Sequence, residues 1–338
     1  MIESDTTPAR GRVGVMLPRD LPVHDLLPYA RRAEELGFDQ IWVVEDLGWR
    51  GGVAQAASVL AGTTRITVGI GILPAGARNV CFAAMELATL AQLHQGRVMA
   101  GIGHGMPDWM RQAGAWPASP LTLIKEYTRA LRLLLRGEPG PPGGRYVRCE
   151  GIVLTEIPDV APPVLLGVRG PKSQAVAGEM ADGLLLAEPA APAYITASQR
   201  HLNSTCDVQS RHIVTYDAAA VAEDEHAAVA HVRGALTSIG EPAWAAHIDP
   251  LPFAARLREH RAACTDPEQF VQTMPEAWIR QLSIVGTPDQ ARDAIRARHA
   301  VGATSVVLAP AGPDDALTAL ELLALALPPR PGTDNTDL

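Results

Sequence analysis

Apolar residues in this chain alternate between two rhythms: short unbroken runs, and longer stretches spaced by three and four. Val13–Leu17, Gln40–Val44, Arg65–Ile70 and Arg97–Ile102 are runs of the first kind. They are apolar throughout, as strands covered on both faces are. His24–Leu36 is of the second kind, with Leu26, Leu27, Ala30, Ala33 and Leu36 on one helical face. Gly37 follows where a helix C-terminus calls for glycine. Val53–Ala61, Val80–His94 and Pro120–Arg136 are read as the next helices. Strands separated by single helices pair in parallel through right-handed crossovers.

The stretch Gly137–Gly144, rich in proline and glycine, interrupts this order, and Arg145–Leu154 reads as a small hairpin turning near Glu150–Gly151. Alternation then resumes with strand Val164–Val168, helix Pro171–Met180, strand Gly183–Leu186, helix Pro192–Leu202, strand His212–Ala219 and helix Glu223–Leu236. A second excursion, Gly240–Ile284, carries helical pieces at Phe253–His260 and Pro267–Met274. Helix Pro288–Ala300, strand Thr304–Leu308 and helix Asp314–Leu327 close the pattern. Eight strand–helix units predict an α/β fold, a (β/α)8 TIM barrel with insertions after unit four and before strand eight, about 137–157 and 240–284. One barrel domain over 11–327 is expected, with polar, disordered tails at 1–10 and 328–338. A doubly wound open sheet is the rival. It would show GxGxxG in its first turn, where this chain has LPRDLPVHD.

Composition narrows the function more than the fold. No apolar run reaches the roughly 18 residues that span a bilayer, and the acidic start MIESDTTPAR does not read as a secretory signal. Cys81, Cys149, Cys206 and Cys264 form no CxxC pair, which fits reduced thiols in the cytoplasm. A net charge of −8, thinly spread, offers no footprint for nucleic acid. No His/Asp/Glu set has metal-ligand spacing, and neither GxSxG nor GxxxxGK[ST] occurs. Neither nucleic acid nor membrane is expected as partner.

In a barrel the residues after each strand share one rim, where the chemistry sits. Strand four runs into Gly101–Ile102–Gly103–His104–Gly105, where glycines let backbone approach a flat ligand. His104 titrates near neutrality and is a candidate proton donor; as alternatives it stacks on a ring or bonds backbone. After strand five comes Gly167–Val168–Arg169–Gly170–Pro171–Lys172–Ser173. Exposed amides, a proline opening the helix and added positive charge read as a phosphate cradle. Lys172 is one of only two lysines in the chain; an ordinary turn with solvated charges is the bland alternative. Glu45 and Asp46 end strand two, and alternation allows only one of them to face the axis. Either binds a ligand hydroxyl or moves a proton, or else pairs with Arg50 or Arg78. Trp49, Trp109 and Trp116 in rim loops are candidate walls of a flat-ring pocket. Trp244, His247 and Phe253, in the second insertion, are candidates to face substrate.

Five segments in this order are specific together: DQIWVVED, RITVGIGILPAGARN, LATLAQLHQGRVMAGIGHG, GVRGPKS and GTPDQARDAIRARHAVGATSVVLAP. Over Val13–Leu308 the chain resembles the luciferase-like family (bacterial luciferase superfamily) of flavin- and coenzyme F420-dependent oxidoreductases. The resemblance implies a TIM barrel with the cofactor at the C-terminal rim and its phosphate by the loop after strand five. It implies a non-proline cis peptide ending strand three, here Gly71–Ile72 followed by Leu73, and a cofactor contact at Asp46. Sugar-phosphate dehydrogenases of the F420 branch carry a histidine and a glutamate where this chain has Leu47 and Met106. That departure points away from alcohol oxidation. The resemblance therefore suggests hydride transfer to an activated C=C or C=N bond of a small or peptide-borne substrate, with His104 as donor and Glu45 behind it. Trp49, Met106 and Trp109 are then the substrate-side residues. An FMN-dependent monooxygenase using dioxygen is the alternative, and a barrel that only binds a flavin-like ligand a third reading. A homodimer is expected.

Overall fold

The computed structural model describes residues 11–204, 211–313 and 315–328. The expected tail at 1–10, all of 328–338 but Pro328, Cys206, and Asp314 at the expected start of the last helix lie outside them. Among the described residues there are nine strands: β1 (Arg12–Met16), β2 (Gln40–Val43), β3 (Thr67–Pro74), β4 (Val98–Gly103), β5 (Val164–Gly167), β6 (Gly183–Leu186), β7 (His212–Val221), β8 (Ile284–Gly286) and β9 (Ser305–Pro310). β1 pairs in parallel with β2 and with β9, and β6 pairs with β7. The ladder therefore closes on itself as an eight-stranded parallel barrel, β1 through β7 and then β9. β8 stands outside this ring. β7 is ten residues long and overhangs the barrel, so its last residues, Ala219–Val221, pair with β8. The hydrophobic pattern assigned that short run to the end of the second insertion.

Helices α1 (Leu26–Leu36), α2 (Gly52–Gly62) and α3 (Val80–Leu93) follow β1 to β3; α4 (Pro107–Gln112) and α5 (Pro120–Leu135) follow β4. α6 (Pro171–Met180), α7 (Pro192–Leu202) and α8 (Glu225–Val232) follow β5 to β7. The second insertion folds into α9 (Ala245–Ile248), α10 (Ala254–Ala263), α11 (Pro267–Thr273) and α12 (Glu276–Leu282). α13 (Pro288–Ala300) leads into β9, and α14 (Ala316–Ala324) ends the barrel. The expected hairpin at Arg145–Leu154 is not there: its turn at Glu150–Gly151 exists, but no strand flanks it. The reason is local. The Glu126 carboxylate on α5 accepts the backbone N–H groups of Arg145, Tyr146 and Val147 at 2.9, 2.8 and 3.1 Å. A side chain thus satisfies the amides that a partner strand would have taken.

Side-chain alternation sorts the core into two layers. Ile41 and Val43 point outward to the helices, while Trp42 between them points into the barrel with Met99, Leu165, Leu185, Val214, Tyr216 and Val307. The indole fits because Gly69 lacks a side chain; a Cβ there would stand 2.3 Å from the ring. Its N–H donates to Gln40 Oε1 at 3.0 Å. Tyr216 stands edge-on to Trp42, centroids 5.7 Å apart. The next residue on β7, Asp217, points the other way. It is fully buried and pairs with Arg298 of α13 at 2.9 Å. It also accepts from Thr215 Oγ1 and from the Ala190 amide, tying the loop after β6 to β7. No described helix is long and apolar enough to cross a membrane.

Candidate active site

The loops at the C-terminal ends of the strands surround a cavity of about 880 Å³. Its walls come from the loops after β1 to β6, with Tyr216 from β7 and Ala309 and Pro310 from β9. The most unusual wall is β3. Its Gly71–Ile72 peptide is cis, and its pairing with β4 slips between Ile70 and Leu73. Ile72 is thereby turned to the cavity, and Leu73 is buried outward among the helices. Gly71 is required at this point: a Cβ would lie 2.0 Å from the Tyr216 hydroxyl and 2.8 Å from Leu185.

The two turns singled out in the sequence meet. His104 Nε2 lies 3.4 Å from Ser173 Oγ, a long contact, and both residues line the cavity with Gly105, Gly167, Val168, Arg169 and Gly170. Burial pushes the His104 pKa below its ordinary value, so near neutrality the ring is uncharged. α6 begins here with Gly170 at its N-cap, no side chain capping it, and open space around that glycine. The first amides of a helix are free donors and carry partial positive charge, so this end suits an anion.

The charges of that loop do not follow the sequence expectation. Lys172 is exposed and, with Pro171, does not line the cavity; Gly103 is enclosed within the sheet between Pro74 and Gly167. Arg169 does line it, with its guanidinium 3.9 Å over the ring of Trp244, and burial lowers its pKa. Trp244 is therefore a platform for Arg169 and is not a cavity wall. His247 and Phe253 are also withdrawn. His247 is 1% exposed, stacked on Tyr194 at 4.3 Å and bonded through Nδ1 to the Pro189 carbonyl at 3.1 Å. Burial takes its pKa down to about 4. Phe253 stacks on Trp278 inside the insertion's own core. None of the cavity-lining residues lies in either insertion; the segment His104–Trp116, which includes α4, supplies part of the wall.

Glu45 and Asp46 both line the cavity, against the expectation that alternation admits one. β2 ends at Val43, so strand alternation does not govern them. Glu45 is held by Arg78 at 3.0 Å and by the Gly52 amide at 2.7 Å. These bonds give it a place in the wall of the mouth, at the start of α2. Asp46 pairs with Arg19 at 3.0 Å, and Arg19 stands 5.7 Å over Trp49. Trp49, Met106, Trp109 and Trp116 line the same mouth, and Trp49 and Met106 are exposed.

Glu188, read from the sequence only as a rim position after strand six, and Tyr216, not singled out at all, also line the cavity. Glu188 lies in the loop two residues beyond β6, just before a cis peptide to Pro189, and Tyr216 lies midway along β7. The signal for Tyr216 was its alternation with Val214 on a strand already recognised. For Glu188 it was a lone carboxylate two residues after a wholly apolar strand.

An eight-stranded α/β barrel, with a flat-walled cavity at the C-terminal rim and an uncapped helix end opening beside it, defines the class. The chain belongs to the luciferase-like monooxygenase family, whose model matches residues 6–305. Among curated relatives it is 26% identical over 309 residues to the 5,10-methylenetetrahydromethanopterin reductase of Methanolobus tindarius, covering 88% of this chain and 94% of that one. It is 30% identical over 184 residues to the F420-dependent glucose-6-phosphate dehydrogenase of Nakamurella multipartita, covering 51% and 54%. In fold it is similar to the coenzyme F420 dependent tetrahydromethanopterin reductase of Methanopyrus kandleri. That likeness has a TM-score of 0.79 and 22% identity, and covers 94% of this chain and 98% of that one.

Proposed function

We propose that this chain is an F420-dependent reductase that moves hydride from the reduced deazaflavin to an activated C=C or C=N bond. The observation that carries the reading is the pairing of two features across one cavity. The Gly71–Ile72 bulge presents Ile72 to the cavity, where it would support a planar ring system, and the uncapped start of α6 opens on the same cavity, where it would take an anionic tail. The cavity, about 880 Å³, is in the range of pockets for ligands of this size. When bound in reduced form the cofactor supplies the hydride. Ile72 would back its ring, Asp46 its polar groups, and Ser173, Arg169 and the α6 amides its phosphate. Support for a reductase comes from the near full-length match to a protein named as one and from Leu47 and Met106, which bring no acid–base pair. Support for FMN and dioxygen comes from the name of the family itself.

Titration separates the two. F420 fluorescence is expected to be quenched saturably by the protein, while FMN at equal concentration is not. Reduced F420 is then expected to be oxidised in the absence of oxygen by a panel of imines and enones. Binding of FMN alone, with turnover only in the presence of dioxygen, would overturn the reading.

The same reading takes a small or peptide-borne unsaturated substrate, a cytoplasmic setting in which the described cysteines stay as thiols, and a homodimer. The dimer is supported by Phe82 and Met85, 64% and 52% exposed at i,i+3 on α3. Phe82→Asp is expected to shift sedimentation from dimer to monomer. Unchanged sedimentation would remove α3 from the interface.

A further inference from the structure

A hydride delivered to a neutral C=N or C=C bond leaves an electron pair on the neighbouring atom, and that atom must be protonated. This inference rests on the reductase reading. His104, uncharged near neutrality, has one N–H to offer and is a weak acid in that form. Another acid stands in the same cavity. Glu188 in the loop after β6 and Tyr216 on β7 both line it. Tyr216 is 4% exposed, and its hydroxyl is buried without a hydrogen-bond partner, an arrangement that is costly unless a ligand completes it. The hydroxyl lies against Gly71, at the bulge where the ring support begins.

We propose that Glu188 is the proton donor of this cavity and that Tyr216 is a positioning residue, donating its O–H to the ligand beside the Gly71–Ile72 bulge. The substrate carbon receives hydride from the reduced deazaflavin, and the π pair moves to the atom across the former double bond. That atom takes the Glu188 proton. The substrate gains two electrons, the cofactor loses two, and Glu188 is left as a carboxylate that regains its proton from water at the mouth.

The surroundings of Glu188 suit this cycle. Burial raises its pKa above the ordinary carboxyl range; its own backbone amide and Arg169 pull it down, while Asp217 and Asp46 push it up. Tyr216 shares the cavity wall and has a strongly raised pKa from burial. Arg169 is the cation that faces the carboxylate after the proton has left. The sign follows directly: with the folded pKa raised, the acid form is full at low pH and is lost as pH rises through that value. Activity therefore carries an alkaline limb, placed above the roughly 4.3 of an ordinary glutamate.

Two measurements test the pair. The first uses protein without cofactor. Infrared difference spectra of wild type minus Glu188→Gln are expected to hold a carboxylic-acid C=O band that persists above the pH, about 4.3, at which an ordinary glutamate ionises. Its absence overturns the proposal whether or not the enzyme turns over. The second uses the loaded enzyme on a neutral imine or enone. Glu188→Gln is expected to lower kcat by about 100-fold or more, leave KM within about threefold and abolish the alkaline limb. Glu188→Asp retains the limb at reduced rate, and Tyr216→Phe raises KM more than it lowers kcat. A limb that survives Glu188→Gln and disappears in His104→Gln assigns the proton to His104 and sinks the proposal. Should wild type with reduced F420 reduce none of the imines and enones, the reductase reading fails, and the infrared band still decides whether Glu188 keeps its proton.

Discussion

Replacing Asp217 with alanine is expected to lower the free energy of unfolding by about 3–5 kcal/mol. The residue is fully buried, 2.9 Å from a guanidinium that is itself 2% exposed. Removing it strands Arg298 among apolar groups with only the Ala294 and Ser283 carbonyls for company. Thr215 Oγ1 and the Ala190 amide lose an acceptor as well. The pair itself need not be a net source of stability, because two desolvated charges recover little more than their burial costs. Asp217→Leu combined with Arg298→Met is therefore expected to regain most of what either single change loses. Urea titration with an unchanged m-value reads both results. A loss below about 1 kcal/mol for Asp217→Ala, the range of exposed pairs, would show that Arg298 finds other partners or water. Because Ala190 follows Glu188 by two residues, the single variant should also loosen the carboxyl at the cavity wall, and the paired apolar replacement should not restore it.

What could be read before the structure divides along physical lines. The barrel was legible because strands buried on both faces leave apolar runs, and β1 through β6 are such runs, separated by single helices except between β4 and β5. β8 escaped because three residues pairing with an overhang carry no periodicity of their own. The false hairpin at Arg145–Leu154 came from reading a turn as evidence for flanking strands, when Glu126, about twenty residues upstream, had taken the amides. For the site, position after a strand was a sound guide: His104, Gly105, Gly167–Gly170, Ser173, Glu45, Asp46, Trp49, Met106 and Trp109 all meet at one cavity. Side-chain direction was not legible. Lys172 belongs to the right loop but projects from the first turn of α6 into solvent, and charge alone does not reveal that. Trp244, His247 and Phe253 were read as ligand-facing for their ring chemistry, yet rings also pack on each other and on Arg169. Glu188 and Tyr216 were given no role for the opposite reason, since a single acid or phenol in an apolar context carries no motif.

A negative charge at the start of α6 should separate stability from cofactor binding. Gly170→Asp is expected to keep or raise the melting temperature while lowering affinity for F420 by about 30-fold or more. Gly170 has φ −82° and ψ 153°, an extended geometry open to any residue, and a Cβ there meets nothing within 4 Å. Aspartate is among the best N-cap residues, gaining a few tenths of a kcal/mol over glycine, and its charge favours the helix end by roughly 0.3–1 kcal/mol more. The amides it would accept from are those left free for a phosphate. Taking up even one charge-assisted bond of about 1.5–3 kcal/mol, and adding anion–anion repulsion, accounts for the lost affinity. Lys172→Ala is the companion: exposed and outside the cavity, that lysine contributes only screened attraction, so affinity should change by less than about threefold. Calorimetric melting and fluorescence titration on the same samples give both halves of the result. Undiminished binding in Gly170→Asp would move the anionic tail away from α6. A large loss in Lys172→Ala would return the lysine to the role its sequence position suggested, swung in over the mouth when cofactor arrives.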